Sequence, residues 1–324
     1  MKHLLRAALA ALAVLTAGSI TATSAQAQTY PARPIRMVVP FAAGGITDVM
    51  IRLLSDKLGQ RVGQAVIVDN RPGANGLIGA DLVAKAAPDG YTILPVGGSS
   101  YTHTFFKELP FDFHRDFTPI TLFWVGGYLF LVNNDSPAKT LKEFVALAKA
   151  SPGKYNTGSS GAPNLMMTAL FNKAAGIDMV NIPFKGNAGT ATALLAGDIQ
   201  LVLDPITSHK PNVEAGKIRA LAISGSQRLP TLPNVPTLEE AGFPGVNGTY
   251  NGGAWAPTGT PKPIVDRLNS ELRAILATPE MKDKALTLAG VNIQTTTPEG
   301  LRQFIQEDQH FWAEAAKVSG FQPE

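Results

Sequence analysis

Short apolar runs alternate with amphipathic stretches along most of the chain. In the amphipathic stretches the apolar residues recur every three or four positions, which is the spacing of one helix face. The late stretches that open at Thr260-Pro261 and Thr297-Pro298 show the same spacing. This alternation predicts an α/β fold. The predicted strands are residues 35–41, 65–69, 91–96, 128–133, 154–157, 179–184, 199–203 and 218–224, and the clearest helix face comprises Ile46, Val49, Met50, Leu53, Leu54 and Leu58.

Two stretches interrupt this pattern. Residues 228–263 are rich in Pro and Gly and show little periodicity, and Gly126-Gly127 separates two apolar runs. A long irregular stretch in a compact protein is usually functional or a connection between domains. Read as connections, the two stretches predict two lobes with a small-molecule site between them. The predicted lobes are residues 28–125 with 246–324, and residues 126–245.

Three loops join a predicted strand to a predicted helix in a similar way. Loop 1 (residues 40–48) reads PFAAGGITD, loop 2 (residues 158–164) reads GSSGAPN, and loop 3 (residues 185–187) reads KGN. Glycines let the backbone approach a ligand closely, and the first N–H groups of a helix form a positively polarised end. Such a loop can bind a carboxylate or a phosphate, but it can also be a plain turn with Thr47 or Asp48 capping the helix. We expect the three loops to line one cleft.

The first 27 residues have the composition of a secretory signal peptide. Lys2, His3 and Arg6 precede a short apolar core, and Ala25-Gln26-Ala27 is a typical cleavage sequence. We therefore expect residues 1–27 to be removed on export. The sequence contains no cysteine, which excludes disulfides and thiolate metal ligands within the chain. Export without disulfides favours the bacterial periplasm.

Charge and motif content argue against nucleic-acid binding and catalysis. Without Lys2 and Arg6, 26 of the 28 basic residues remain against 25 acidic ones, and no basic stripe with interleaved aromatic residues is present. The sequence lacks the Gly-x-Ser-x-Gly, Gly-x-Gly and Gly-Lys-Ser/Thr motifs. We expect no catalytic residue, no metal site and no cofactor, although a hydrolase centred on Ser159 stays open. His103, His114, His209 and His310 lack the spacing of metal ligands.

The order of several longer motifs resembles the substrate-binding proteins of tripartite tricarboxylate transporters, often called the Bug family. Members of this family have the type II periplasmic-binding-protein fold, in which two lobes close over a ligand like a Venus flytrap. The resemblance implies a periplasmic receptor that binds a small carboxylate and delivers it to a membrane transporter. The motifs are TYPARPIRMVVPFAAGGITD, VDNRPGANGLIGADLVAKAAPDGYTIL, RDFTPITL, AKASPGKYNTGSSG, IPFKGN, AGKIRALAISGSQRLPTLPNVPTLEEAGFPG and WAPTGTP.

The resemblance also implies a set of ligand contacts, mostly backbone amides and short hydroxyls. One departure concerns the second lobe, where Leu165 and Ala169 stand at positions that many relatives fill with His and Glu. With Met166 and Met167 beside them, we expect a more apolar wall and a less polar or aromatic acid as ligand. The implied contacts are Phe41, Ala43, Gly44, Gly45, Thr47, Asp48 and Ser99 in the first lobe, and Ser159, Ser160, Asn164, Lys185, Gly186, Asn187 and Asp204 in the second.

Several of these residues also have structural explanations. Asp48 is typical of a helix cap or a first-turn acid. Ser159 and Ser160 could cap the following helix, and Lys185 could be a solvated lysine at a strand end. Asp204 follows an apolar run, where an unpaired carboxylate would be costly to bury. We therefore expect Asp204 to organise the opposite loop or to contact a donor on the ligand.

The ligand class and the physiological partner stay open at this point. The candidate ligands are dicarboxylates, tricarboxylates, acidic amino acids and aromatic acids, bound with a dissociation constant of about 1 μM, or about 8 kcal/mol. The expected partners are membrane transporter subunits and no nucleic acid, with the protein acting as a monomer. A ligand-binding co-receptor for a sensor kinase is the alternative function, and a periplasmic hydrolase is a further one.

Overall fold

The strands of the protein belong to two separate sheets. The computed structural model describes residues 30–44, 46–97, 104–184 and 186–323. All of the elements named below lie in one unit, Arg33–Glu324. The strands are β1 (Ile35–Val39), β2 (Val66–Asn70), β3 (Thr92–Val96), β4 (Phe117–Gly127), β5 (Leu129–Asn133), β6 (Asn156–Ser159), β7 (Val180–Pro183), β8 (Leu201–Asp204), β9 (Ile218–Ile223), β10 (Thr249–Pro257) and β11 (Asn292–Ile293).

Each sheet mixes parallel and antiparallel pairs. The six-stranded sheet has the order β11-β4-β10-β3-β1-β2, with β1 parallel to β2 and β3 and with β10 antiparallel to β3 and β4. The five-stranded sheet has the order β7-β6-β8-β5-β9, with β6 parallel to β7 and β8 and with β5 antiparallel to β8 and β9. Parallel strands need crossover connections, which the helices supply. The predicted α/β class is confirmed.

The chain passes between the two sheets twice. β4 ends at Gly127, and β5 begins at Leu129 in the other sheet. The chain returns between β9 and β10, through residues 224–248. Both ends of the described chain therefore belong with the six-stranded sheet and the middle with the five-stranded sheet, which is the expected two-lobed fold. The lobe bounds at residues 125/126 and 245/246 stay predictions.

Helices pack on both sheets. The start signal at Thr297-Pro298 is confirmed, because the Gly300 N–H donates to the Thr297 hydroxyl oxygen at 3.1 Å as α10 begins. No helix in the described ranges is both long and apolar enough to cross a lipid bilayer. The helices are α1 (Ile46–Val62), α2 (Leu77–Ala84), α3 (Phe113–Asp116), α4 (Leu141–Ala150), α5 (Ala162–Ala175), α6 (Asn187–Ala196), α7 (Lys210–Glu214), α8 (Lys262–Leu276), α9 (Pro279–Lys284) and α10 (Pro298–Ser319), with short turns of other helix types at Ala74–Gly76, Ile206–Ser208 and Ala285–Ala289.

The buried face of α1 differs in part from the predicted stripe. Met50, Leu54 and Leu58 are buried as expected. Val49 was expected in the core and is 39% exposed, whereas Ile51 is fully buried. The prediction for Val49 is wrong because the buried face of α1 is rotated toward Ile51 and away from Val49. Of the remaining stripe, Leu53 is half-buried, and the side chain of Ile46 lies outside the described residues.

Strand β10 lies inside the six-stranded sheet, although its sequence reads as irregular. It falls within residues 228–263 and pairs with β4 along its whole length. A side chain at Gly252 would collide with the indole ring of Trp124 on β4, and the register shifts between Gly252 and Gly253. Glycine in a strand often marks such a close approach or a bulge. The glycine at 252 in β10 therefore reflects packing across strands, whereas residues 224–248 before it form the connection between the sheets.

Candidate functional site

A cavity of about 620 Å³ lies between the two lobes. The six-stranded lobe contributes loop 1, the ends of β3 and β10, and one face of α10, while the five-stranded lobe contributes loop 2 and the residues after β8. This volume is within the usual range of small-molecule sites. The lining residues used below are Phe41, Thr47, Trp124, Tyr128, Ser160, Gly161, Tyr250, Asn251, Asp308 and Trp312.

Loop 1 turns sharply between β1 and α1. Gly44 has φ of +84°, a conformation that glycine adopts readily and other residues rarely. Its N–H donates to Oδ2 of Asp48 at 2.9 Å, so this amide makes its hydrogen bond within loop 1. Phe41 and Thr47, on either side of the turn, both line the cavity. Gly45 lies outside the described residues.

The buried carboxylate of Asp48 holds loop 1 in place through hydrogen bonds. Its side chain is 3% exposed, and Oδ2 also accepts a hydrogen bond from Nε of Arg52 at 3.0 Å. Oδ1 accepts a hydrogen bond from Nδ2 of Asn70, at the end of β2, at 2.8 Å. The hydrogen bond from Arg52 is the largest cause that lowers the pKa of Asp48 to about 2, and those from Gly44 and Asn70 assist it against the effect of burial. Asp48 is absent from the cavity lining, and its carboxylate shapes the loop that Thr47 belongs to.

The interactions of Asp48 are expected to stabilise the fold above about pH 4 and to be lost as the pH falls through about 2. The folded-state pKa is lower than the ordinary value of 3.8, so the folded state binds fewer protons than the unfolded state between these values. The contribution is at most about 2 kcal/mol. Urea unfolding of the wild type and of Asp48→Asn between about pH 6 and pH 2 measures it. The stability difference should shrink with acid, and a difference that is constant with pH would contradict this assignment.

Loop 2 ends at a helix N-terminus whose cap residue, Gly161, has no side chain. Helix α5 begins at Ala162, directly after Gly161, and among the described residues no side-chain hydrogen bond caps it. Ser159 accepts a hydrogen bond from Asn181 at 2.9 Å, and neither Ser159 nor Ser160 acts as the cap. Ser160, Gly161 and Ala162 line the cavity. The positive end of the α5 dipole therefore lies at the cavity surface.

Asp204, the last residue of β8, connects loop 2 to the neighbouring helices. It is fully buried, and its Oδ1 accepts a hydrogen bond from Nδ2 of Asn164 at 2.7 Å and lies 3.5 Å from Oγ of Ser160. Its Oδ2 accepts a hydrogen bond from Oγ1 of Thr190 at 2.6 Å and lies 2.8 Å from Nε2 of His209. Asp204 thus organises loop 2. A direct contact between Asp204 and a ligand stays a prediction.

Loop 3 contributes none of its described residues to the cavity lining. Gly186 has φ of +80° and precedes Asn187, the first residue of α6, and neither residue lines the cavity. The structure therefore brings loops 1 and 2 together at one cavity. Asn187 of loop 3 is linked to loop 2 through Thr190, whose hydroxyl contacts both the Asn187 carbonyl and Asp204. The role of these loop 3 residues as ligand contacts stays a prediction. Of the other implied contacts, Ala43 is exposed away from the cavity lining, and Gly45, Ser99 and Lys185 lie outside the described residues.

The apolar segment of α5 belongs to the hydrophobic core. Met166 and Met167 are 0% exposed, Leu165 is half-buried, and none of the three lines the cavity. The expected apolar wall from this segment is therefore wrong. The physical reason is that α5 packs against α10, which covers the helix face that carries the methionines.

The cavity instead has an aromatic side that the sequence analysis missed. Trp124 of β4, Tyr250 of β10, Trp312 of α10 and Tyr128 between the two sheets all line it. The ring of Tyr128 lies 5.6 Å from that of Tyr250 and 6.4 Å from that of Trp312, centroid to centroid. Burial raises the pKa of both tyrosines well above the usual range. The signal available for it was the position of Trp124 and Tyr128 on either side of Gly126-Gly127, at a predicted crossing between lobes.

The chemistry of the cavity is that of a binding site built from dipoles and aromatic rings. Among the described residues, no three His, Asp or Glu side chains are grouped so as to hold a metal ion. The described part of the cavity lining contains no Lys, Arg or His, and its one charged side chain is that of Asp308. Among the described lining residues, the donors for an anion are therefore hydroxyl groups, amides and the helix ends at loops 1 and 2.

Two lobes joined by two crossings, with a partly polar cavity between them, define the two-lobed periplasmic-binding-protein fold. The family model described as the tripartite tricarboxylate transporter family receptor matches residues 50–320. The chain belongs to this family of solute-binding receptors.

Individual relatives agree with this assignment. Protein BugT of Bordetella pertussis is 32% identical over 317 residues, which cover 96% of this chain and 97% of BugT. The structure of a protein from R. palustris with adipate is similar with a TM-score of 0.76 and 31% identity, covering 91% of this chain and 100% of that protein. MatC from Rhodopseudomonas palustris with bound malate has a TM-score of 0.70 and 32% identity, covering 88% of this chain and 99% of MatC. The resemblance to the Bug family is confirmed.

Proposed function

We propose that the protein is a solute receptor that binds a small carboxylate in the cavity between its lobes. The observation that carries this proposal is that Thr47 and Ser160 line the same cavity from opposite lobes. Each residue lies at the N-terminal end of a helix, where backbone N–H groups and the helix dipole favour an anion. The related structures with adipate and with malate support a carboxylate as the ligand.

These donors are sufficient for useful affinity without an arginine or lysine clamp. One helix N-terminus contributes roughly 0.3 to 2 kcal/mol to binding of an anion. Hydrogen bonds to a charged group contribute about 1.5 to 3 kcal/mol each. Two helix ends with several hydroxyl and amide donors can therefore offset the cost of association and reach a dissociation constant of about 1 μM, or about 8 kcal/mol.

The partner in this proposal is the membrane part of a tripartite tricarboxylate-type transporter. Family membership supports that partner, because the matching family model is that of the transporter's receptor. The same proposal places the protein in the periplasm after removal of residues 1–27. N-terminal sequencing of exported protein should then begin at Gln28, and retention of Lys2 would contradict this route.

A panel of carboxylates is expected to contain at least one that stabilises the purified mature protein. A ligand that binds only the native state at about 100 times its dissociation constant adds about 2.7 kcal/mol to the free energy of unfolding. Thermal melting with adipate, malate, citrate, glutamate and benzoate provides the screen, and calorimetry gives the stoichiometry, expected to be one per chain. A folded protein that responds to no carboxylate would contradict the proposal.

A receptor, in contrast to an enzyme, should release its ligand chemically unchanged. Mass spectrometry after prolonged incubation tests this point with the ligand found in the panel. Turnover that disappears in Ser159→Ala would show a hydrolase and overturn the receptor assignment.

A further inference from the structure

The two crossings between the lobes meet at Tyr128. This residue lies between the end of β4 at Gly127 and the start of β5 at Leu129. Its N–H donates to Oγ of Ser224 at 2.8 Å, and its carbonyl accepts from the N–H of Ser224 at 2.9 Å. Ser224 begins the return crossing, and its hydroxyl donates to the carbonyl of Gly248, the last residue of that crossing, at 2.6 Å. The backbone of Tyr128 is therefore fixed where both crossings pass between the sheets.

Neighbouring aromatic rings fix the side chain of Tyr128. Its ring meets those of Tyr250 and Trp312 edge-on, at interplanar angles of 71° and 83°. Tyr250 is itself held in place, because it lies so close to Gly126 that a side chain at Gly126 would collide with the tyrosine ring. Tyr128 lines the cavity and is 5% exposed, so only a small part of its side chain reaches the cavity surface.

The hydroxyl groups of the two tyrosines lie in different surroundings. The hydroxyl of Tyr250 is fully enclosed, and it has no hydrogen-bond partner among the described residues. The hydroxyl of Tyr128 also has no partner in the described part of the chain, but it is not among the enclosed polar atoms. A tyrosine hydroxyl in a largely buried position usually has a hydrogen-bond partner. The Tyr128 hydroxyl is therefore the polar group that this residue offers to a molecule in the cavity.

Electrostatic effects place this hydroxyl between the lobes and keep it protonated. The pKa of Tyr128 is raised well above the usual range, first by burial and then by Tyr250, Asp308 and Asp204. Asp204 ends β8 in the five-stranded sheet, and Asp308 lies on α10, which packs on β4 of the six-stranded sheet. Because carboxylates from both lobes act on it, the hydroxyl lies between them. A neutral phenol in that position is a hydrogen-bond donor.

We propose that the Tyr128 hydroxyl donates a hydrogen bond to a carboxylate oxygen of the ligand. This inference rests on the proposed carboxylate receptor and adds a binding residue to the same site. Thr47 and Ser160 line the cavity from opposite lobes, and Tyr128 lines it from the crossing that joins the lobes. A hydrogen bond from a hydroxyl to a carboxylate is charge-assisted and directional. Tyr128 thus positions the carboxylate at the side of the cavity where the lobes are connected.

Tyr128→Phe tests the inference directly, because it removes the hydroxyl and keeps the ring that packs on Tyr250 and Trp312. Calorimetry compares this variant with the wild type, using whichever of adipate, malate, citrate, glutamate and benzoate binds the wild type most tightly. The affinity should fall at least tenfold, about 1.4 kcal/mol. The melting temperature without ligand should change by less than about 2 °C, because the hydroxyl has no described partner to lose.

Two other tyrosines supply the comparison. Tyr155→Phe is the matched control, because Tyr155 is half-buried, packs against Phe144 and lies outside the cavity lining. This control should keep the wild-type affinity. Tyr250→Phe removes an enclosed hydroxyl from the adjacent ring, and it should weaken binding less than Tyr128→Phe does. The three variants together separate a hydrogen bond to the ligand from a general effect of removing a tyrosine hydroxyl.

The outcomes also separate this inference from the proposed function. Wild-type affinity in a folded Tyr128→Phe protein would overturn the inference and leave the carboxylate receptor intact. Equal losses in Tyr128→Phe and Tyr250→Phe would do the same, and so would a large fall in the melting temperature of Tyr128→Phe without ligand, which would show a structural role. A folded wild type that binds no carboxylate would overturn the proposed function and this inference with it.

Discussion

Asp204→Ala is expected to lower the free energy of unfolding by about 3 kcal/mol or more. The carboxylate is fully buried and accepts hydrogen bonds from Asn164 and Thr190, with His209 at 2.8 Å. His209 is itself 0% exposed. Alanine would take one acceptor from each of these groups and would open a small void between β8, α5 and α6. Asn164 would keep the Leu203 carbonyl and Thr190 the Asn187 carbonyl as acceptors. Loop 2 would lose one of the two contacts that fix Asn164, so ligand binding should weaken as well.

Urea unfolding with Asp198→Ala as control measures the effect of Asp204→Ala. Asp198 is an exposed aspartate in the same lobe, so its replacement removes the same charge without disturbing buried partners, and we expect a change within about 0.5 kcal/mol. A loss of less than about 1 kcal/mol in Asp204→Ala would show that solvent or neighbouring groups satisfy the donors. That result would remove Asp204 as the organiser of loop 2.

Gly161→Val is expected to weaken carboxylate binding at least tenfold, about 1.4 kcal/mol, while the protein stays folded. Gly161 has an extended φ of 176°, so a side chain causes no backbone strain. A Cβ at this position would lie 3.8 Å from Pro163 and 3.9 Å from Asn164, which is ordinary contact. The rest of a valine side chain would project at the N-terminus of α5, where the carboxylate is proposed to bind.

Gly161→Ala is the control that separates the effect of side-chain bulk on binding from the effect of losing the glycine cap on stability. Both variants replace a glycine cap by a poor cap and should lose about 1 kcal/mol of stability or less. Only valine adds branched methyl groups near the anion site, so alanine should reduce the affinity less. Calorimetry with the carboxylate found in the panel, with folding checked by thermal melting, decides the matter. Wild-type affinity in a folded Gly161→Val protein would exclude the α5 N-terminus as the carboxylate site.

Much of the fold could be predicted from local sequence because the relevant signals are local. Apolar runs bounded by turn residues mark β1, β5, β8 and β9, and Thr297-Pro298 marks the start of α10. β10 could not be predicted in this way. Gly252 is explained by the indole of Trp124, which lies more than a hundred residues earlier in the chain.

In the candidate site, too, the features with a local sequence signal could be predicted and the others could not. Loops 1 and 2 were found because a strand, a glycine-containing turn and a helix start are contiguous in sequence, and the structure brings Thr47 and Ser160 from them to one cavity. Asp308 and Trp312 carried no such signal. Both lie on an amphipathic helix whose pattern reports only which residues face the protein and cannot distinguish a core from a cavity.

The sequence by itself determined the α/β class, the family and the location of two helix N-termini suited to an anion. These features depend on the spacing of apolar residues, on turn residues and on the order of motifs, all of which are local properties of the sequence. The tertiary structure decided which of the loops share a cavity, which acceptor binds Asn164, Thr190 and His209, and which charge lines the cleft. These features depend on contacts between residues far apart in the chain. Such contacts follow from how whole strands and helices pack, and local spacing does not encode them.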